Sequence, residues 1–426
     1  MRVKLLVTVS VLALVGAACT GSSTPGAVGE APEAPATVPS ETLLLGTGAG
    51  PLLVEVPAGS VLFEQPGSVA SLGGEWVLST EGLKGSTLLH TRDAATGAIV
   101  DTTEVPGALD VRVVSESGRA VALMDPLPQG WDPFVPLPRA TTTIVVVDAT
   151  GATEPRTFEL VGNFEPEAFS TADDALFLIQ HLPAETPQAY RVTMLDLDRG
   201  RVRPVFGPFK GPAERMPGIR LQQVLSPTAT QLYTLYSSAH PGYIPHTAPA
   251  TEGAIVSFVH VLSLEDGWAH CVGLPESMWD RPSAEQAMAP TPDGANLFVV
   301  DAGRGEVVVL DTGTLRVRAA DVDLGLSGAI DRTTAQMSAD GRTLFVATAG
   351  PDGSAVSAVD VGTFEVVDRW NVDGRISSLG LSADGARLYA ATGDGLIVLD
   401  AASGAEVGAV AVDAPDTVTQ VLAIGA

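Results

Sequence analysis

Apolar residues fall along this chain in short runs separated by Gly, Asp, Ser and Thr, the pattern of β-strands joined by tight turns. Near the C-terminus the sequence reads LSADGARLYAAT from Leu381, LIVLD ending at Asp400, and EVGAVAV from Glu406 to Val412. That is three strands and two turns. The same register, a Ser or Thr, a Gly three residues later and an apolar residue six later, returns at Thr291/Gly294/Leu297, Ser338/Gly341/Leu344, Ser115/Gly118/Val121 and Ser71/Gly74/Val77. Copies without the Gly start at Ser170 and Ser226 and lead to Leu176 and Leu232. Each copy continues into an apolar strand ending at or near Asp93, Asp148, Asp196, Asp311, Asp360 or Asp400, with Ser263 in the remaining one. An Asp carboxylate bonds backbone N–H groups two residues on, so these six are read as turn formers and not as metal or catalytic carboxylates.

The seven starts, 71, 115, 170, 226, 291, 338 and 382, are 44, 55, 56, 65, 47 and 44 residues apart. That period is a β-propeller blade, which predicts an all-β fold of four-stranded antiparallel blades over residues 41–426. Residues 41–65 offer three further strands and 418–424 one, so three plus one makes an eighth blade that closes the ring. Eight blades average about 48 residues each. Seven blades, with the N-terminal strands only decorating the ring, is the alternative. Blades five to seven, with TPDGANLFVV and VVVLDTGTLRV, MSADGRTLFVAT and VSAVDVGTFEVV, LSADGARLYAAT and LIVLDAASGAEV, resemble the YVTN type of propeller repeat. The resemblance covers residues 285–412 closely and 68–275 loosely. It implies the fold and leaves the function open, because proteins of many roles share that repeat.

The first 18 residues read as an export signal: Arg2 and Lys4, the apolar stretch from Leu5 to Val15, then Gly16, Ala17 and Ala18 before Cys19. The stretch is short for a membrane span. Its junction resembles a bacterial lipobox, with Gly16 where that pattern prefers Leu; the resemblance implies a lipidated, palmitate-bearing Cys19 that anchors the protein to the outer face of the membrane. Ordinary cleavage after Ala18 and free secretion is the alternative. Residues 19–40 have no aromatic residue and no apolar face, and read as the anchor and a disordered tether. With 24 Lys and Arg against 50 Asp and Glu, the net charge of −26 argues against nucleic acid as a partner. The two cysteines make no disulfide framework.

Label the strands of a blade A to D from the axis outward. From the Ser or Thr start to the Asp is 22, 20, 22 and 18 residues in blades one, five, six and seven, but 33, 26 and 37 in blades two, three and four. The extra length is expected in the B–C loops, so three adjacent blades lengthen on one face. These loops, 124–142, 180–190 and 236–253, are Pro-rich and carry Trp131, Phe134, His181, Tyr190, His240, Tyr243 and His246; the connection at 275–283 adds Trp279. Such aromatics on stiff loops suit a recognition rim for a protein, peptide or glycan ligand. Packing of the same side chains onto their own blades is the alternative.

His240, His246, His260, His270 and Cys271 gather in blade four, but the first two are about 20 Å along a strand from His260. They cannot share one ion. His260 and Cys271 are expected opposite each other across the C–D hairpin, and two ligands make a poor site. A surface metal site from His181, His240 and His246 is a minor alternative, and no metal ligand or cofactor is assigned. No Gly-x-Ser-x-Gly elbow, phosphate loop or His-Glu-x-x-His helix is present. Asp110, Arg112, Glu165, Glu167, Arg220 and Arg332 stand near the starts of A strands, where a propeller enzyme would place its groups, but no pair has a spacing that implies acid–base work, and no catalytic residue is assigned. The expectation is a lipid-anchored, extracytoplasmic, non-enzymatic binding or scaffold protein. A lactonase-like propeller hydrolase is the runner-up.

Overall fold

The computed structural model describes residues 40–128, 136–207, 216, 218–237, 257–279, 281–325, 328–393, 395–412 and 418–425. The export signal, Cys19 and the tether lie outside them. Eight four-stranded antiparallel sheets form a ring, an eight-bladed β-propeller. Blade 1 spans Val69–Ala70 to Ile99–Pro106, and the other repeats follow in chain order. Blade 2 is Asp110–Val114, Ala120–Met124, Thr141–Asp148 and Arg156–Val161; blade 3 is Asn163–Phe169, Ala175–Leu182, Ala189–Asp196 and Arg201–Pro204; blade 4 is Ile219–Leu225, Gln231–Ser237, Ser257–Ser263 and Ala269–Gly273. Blade 8 takes strands B to D from Glu41–Thr47, Pro51–Val56 and Ser60–Glu64, and its A strand from Val418–Gly425.

The repeated Ser or Thr explains itself in the A–B turn. In every copy its backbone N–H donates to the carbonyl five residues on, while its hydroxyl accepts the N–H of that same residue, as in Ser115 with Ala120 (3.0 Å) and Ser382 with Arg387 (2.9 Å). One side chain thus completes the turn that the ladder cannot. The residue three positions on closes the turn with φ between 70° and 75° at Gly74, Gly118, Gly294, Gly341 and Gly385. In the two copies without Gly, Asp173 (57°) and Ala229 (55°) take up the same left-handed conformation. The C–D turns work as expected from the Asp. Each carboxylate accepts a backbone N–H two or three residues on, from Thr96, Thr150, Arg199, Thr314, Thr363 and Ser403 at 2.7–3.0 Å, and Ser263 Oγ does the same for Asp266.

The ring closes through the two chain ends. Val418–Gly425 pairs with Glu41–Thr47 from Thr42↔Gly425 to Thr47↔Val418, so the last residues supply the innermost strand of the sheet that the first strands began. Blade 7 locks this seam, since Arg387 Nη2 and Tyr389 Oη both donate to Glu41 (2.9 Å each). Tyr389 is fully buried, and burial pushes its phenol up to about 12. Between blades the core is mostly Val, Leu and Ala, for example Leu43, Leu45, Val54, Ala391 and Val398 at the seam. Among the described residues no helix is long and apolar enough to cross a membrane.

The left-handed residues give a contrast. A left-handed conformation costs a residue with a Cβ roughly 1–2 kcal/mol, partly offset by the unfolded-state entropy of Gly, so Ala229→Gly should stabilise by about 0.5–1 kcal/mol. Asp173→Gly should not, because Asp tolerates this conformation and its Oδ2 accepts a hydrogen bond from Ser117 Oγ (2.6 Å). Urea unfolding of the two variants checks this: equal shifts of the midpoint would contradict it.

Candidate functional site

The A–B and C–D turns share one face of the ring, so the B–C loops and D–A connections share the other. Strands B and C are separated by residues 125–140 in blade 2, of which 129–135 lie outside the described residues, and by 238–256 in blade 4, all of which lie outside them. In blade 3 the extra length also falls in the B–C loop, but that loop is 183–188, between strands Ala175–Leu182 and Ala189–Asp196, so His181 and Tyr190 are strand residues and not loop residues. Register pairing then continues to His181↔Tyr190 and Leu182↔Ala189 at the rim, because the β-rich sequence there pairs before it turns.

Beneath these loops the A strands line the channel, and five of the six charged residues singled out near their starts are tied by ion pairs or backbone hydrogen bonds. Arg112 of blade 2 lies 3.6 Å from Glu165 of blade 3 and donates from Nη2 to Asp125 O (2.6 Å). Arg139, from the end of the blade 2 loop, donates to Glu165 Oε2 (2.8 Å) and to Phe164 O (3.2 Å). Glu167, on the same strand, accepts from Gln223 (2.7 Å) and pairs with Arg220 (3.3 Å), both from blade 4. The coulombic pull of Glu167 raises the Arg220 guanidinium, which secures its charge. Arg332 instead donates to Ser377 O (2.8 Å) and Thr419 O (3.3 Å), bracing blades 7 and 8. Asp110 starts the A strand of blade 2 and is half-buried.

Asn163 completes the junction. It is 1% exposed, and its Nδ2 donates to Leu137 O (2.8 Å) and Ala184 O (2.9 Å), one in each of the B–C loops of blades 2 and 3. Its Oδ1 has no hydrogen-bond partner among the described residues. Arg139 N–H also reaches Ala184 O (3.2 Å), so the two loops are sewn to each other and to the channel wall. Arg139, Asn163 and Gln223 were not singled out in the sequence. Arg139 stood at the edge of a noted loop; Asn163 and Gln223 carried no signal.

The rim residues divide. Trp131, Phe134, His240, Tyr243 and His246 lie outside the described residues. His181 is half-buried with its ring edge-on to Tyr190 (6.4 Å). Tyr190 is only 8% exposed and packs between blades 3 and 4 against Tyr236, its phenol sharing a hydrogen bond with that residue; burial raises both phenols, so they stay protonated. Trp279 is half-buried, and its Nε1 donates to Leu274 O (3.0 Å), which holds it against its own connection. Among the described residues no three His, Cys, Asp or Glu side chains are grouped to hold a metal ion.

Burial pushes the His181 imidazole down to about 4, against the pull of Glu165 and with a push from Arg139; burial sets His260 at about 4 as well. Both rings are therefore neutral at pH 7. An unfolded His titrates near 6.5, so between pH 6.5 and 4 the unfolded chain binds more protons, and stability falls as pH falls through that window. The turn aspartates act lower: hydrogen bonds hold Asp311, Asp360 and Asp400 below their ordinary value of 3.8, and their contribution is lost only at more acid pH. His181→Gln should therefore flatten the stability–pH slope between pH 4.5 and 6 by about one proton, or about 1.4 kcal/mol per pH unit at most. Parallel wild-type and variant slopes in urea titrations would refute it.

No family model and no curated protein matches this sequence. Solved structures do. Apo AztD from Citrobacter koseri aligns at 12% identity and TM-score 0.54, covering 91% of this chain and 99% of that one. The dihydro-heme d1 dehydrogenase NirN in complex with DHE aligns at 15% identity and TM-score 0.52, covering 89% of this chain and 74% of that one. At these identities the likeness shows the fold, a β-propeller.

Proposed function

We propose that this propeller is a non-enzymatic binding or scaffold protein of the cell envelope, anchored through lipid on Cys19, that receives a protein, peptide or glycan at the loop face over blades 2 to 4. The observation that carries the reading is the bracing of that face. Glu165 is held between two guanidinium groups and Glu167 between Arg220 and Gln223, while Asn163 joins two loops. A carboxylate so occupied makes a poor nucleophile or general base, whereas a rigid polar wall under aromatic loops suits recognition. The hydrolase alternative would need one of these carboxylates to be released. Of the neighbours by fold, one is named as a dehydrogenase and is solved in complex with DHE, so the ring itself does not choose between binding and chemistry.

The test is partner capture. Trp131→Ala with Tyr243→Ala should leave the melting curve unchanged and reduce proximity labelling of envelope partners by at least roughly tenfold, about 1.4 kcal/mol. The same partners at the same level, or an unfolded variant, would assign those aromatics to scaffolding.

The anchor is tested separately. Wild type should fractionate with membranes and Cys19→Ala with the soluble contents. Equal recovery of both as soluble protein would sink the lipid reading.

A further inference from the structure

Cys271 and His260 do stand opposite each other in the C–D hairpin of blade 4, as a register pair of antiparallel strands. Their side chains therefore leave the same face of the sheet, with Cβ atoms about 4.5–5.5 Å apart. That face also carries Tyr236 and Phe258 and packs toward blade 3. His270, one residue from Cys271, points to the opposite face.

What the sequence could not supply is a third donor. Met216 comes from the connection between blades 3 and 4, held in place by two backbone hydrogen bonds with Tyr190 (2.7 and 3.2 Å). Its Sδ lies 3.2 Å from Cys271 Sγ. Met216 is 3% exposed and His260 4%, while Cys271 is half-buried and gives the group its opening. His260 makes no hydrogen bond among the described residues; its ring is in edge contact with Tyr236 at 6.3 Å.

We propose that Cys271, Met216 and His260 form a binding site for a soft monovalent cation, Cu(I), in the seam between blades 3 and 4. One thiolate, one thioether and one neutral imidazole form the donor set that favours Cu(I) over Zn(II), which prefers four ligands and rarely takes a thioether. Charge selects in the same direction. Binding releases the thiol proton to solvent and forms a Cu–S bond, so a thiolate and a monovalent ion leave the pocket neutral. A divalent ion would leave a net positive charge among buried apolar groups, which is expensive. The two phenols stay protonated, as burial requires, and line the site without ligating.

The site is independent of the loop-face reading, and its test is direct. The full chain carrying Cys19→Ala, so that Cys271 is its sole cysteine, is titrated anaerobically with Cu(I) against bathocuproine disulfonate, with Ag(I) as a redox-inert control. One equivalent should bind, with two sulfur scatterers and one nitrogen in the X-ray absorption of the bound copper. Cys271→Ser should weaken binding by roughly a hundredfold or more, and Met216→Leu by about tenfold, with unchanged circular dichroism. Both substitutions nearly conserve volume, so they decide the matter even where a His260 variant fails to fold. Failure to compete for Cu(I), retention of the equivalent by Cys271→Ser, or a first shell without sulfur would overturn the proposal.

Discussion

The pairing of Val418–Gly425 with Glu41–Thr47 is the constraint on which the rest of the molecule depends. Every other blade is built from consecutive chain and could form locally, but a ring of seven and a fraction blades has two raw faces and an unpaired strand edge. Closing it forces the A strands around a common axis. Around that axis Arg112 meets Glu165, and Glu167 meets Arg220, each pair from neighbouring blades. Glu41 shows how firmly the closure is held, since its carboxylate collects both the guanidinium and the phenol of blade 7 at a half-buried position.

Much of the ring could be read from the chain because its repeating unit is a local device. A hydroxyl that accepts an N–H five residues away and a carboxylate that closes the next turn act within a few positions, so their spacing survives in sequence even where Gly is replaced by Asp173 or Ala229. The eighth blade followed from counting strands left over at the two ends. The candidate loop face was less accessible. Channel-mouth residues were picked out by their nearness to A-strand starts, but their pairings cross between blades, and neither Asn163 nor Gln223 has any neighbour in sequence that marks it. Tyr190 seemed to belong to a loop. The β-rich stretch around it instead prolongs the ladder and turns the ring inward. Met216 was invisible for the same reason, as it contributes through a connection that no repeat describes.

The chemistry of the mouth is governed by how its charges are already occupied. A chain with a net charge of −26 places Arg112, Arg139 and Arg220 together, yet each faces a glutamate. Breaking such a partly buried pair leaves one charge unsatisfied, so the pairs resist rearrangement even if their net contribution to stability is small. Stiffness is the physical product of that arrangement. The described segments around Leu137, Arg139 and Ala184, joined through Asn163, lose their freedom during folding and not during binding, which lowers the entropic cost of any later contact there.

The same pairing limits what kind of recognition this face can perform. Guanidinium and carboxylate groups a few ångströms apart form local dipoles whose fields cancel within about the 8–10 Å over which salt screens exposed charges. A ligand approaching from solvent meets the acidic body first and the arginines only at contact. On the proposed reading, long-range steering would favour neutral or basic partners, with discrimination at close range resting on hydrogen-bond geometry. A polyanion is disfavoured twice, by the overall charge and by the pairing of Arg112, Arg139 and Arg220 with glutamates among the described residues. An oligosaccharide or a neutral peptide segment meets neither penalty, because its hydroxyls and amides pair with oriented donors and acceptors without displacing either glutamate from its arginines.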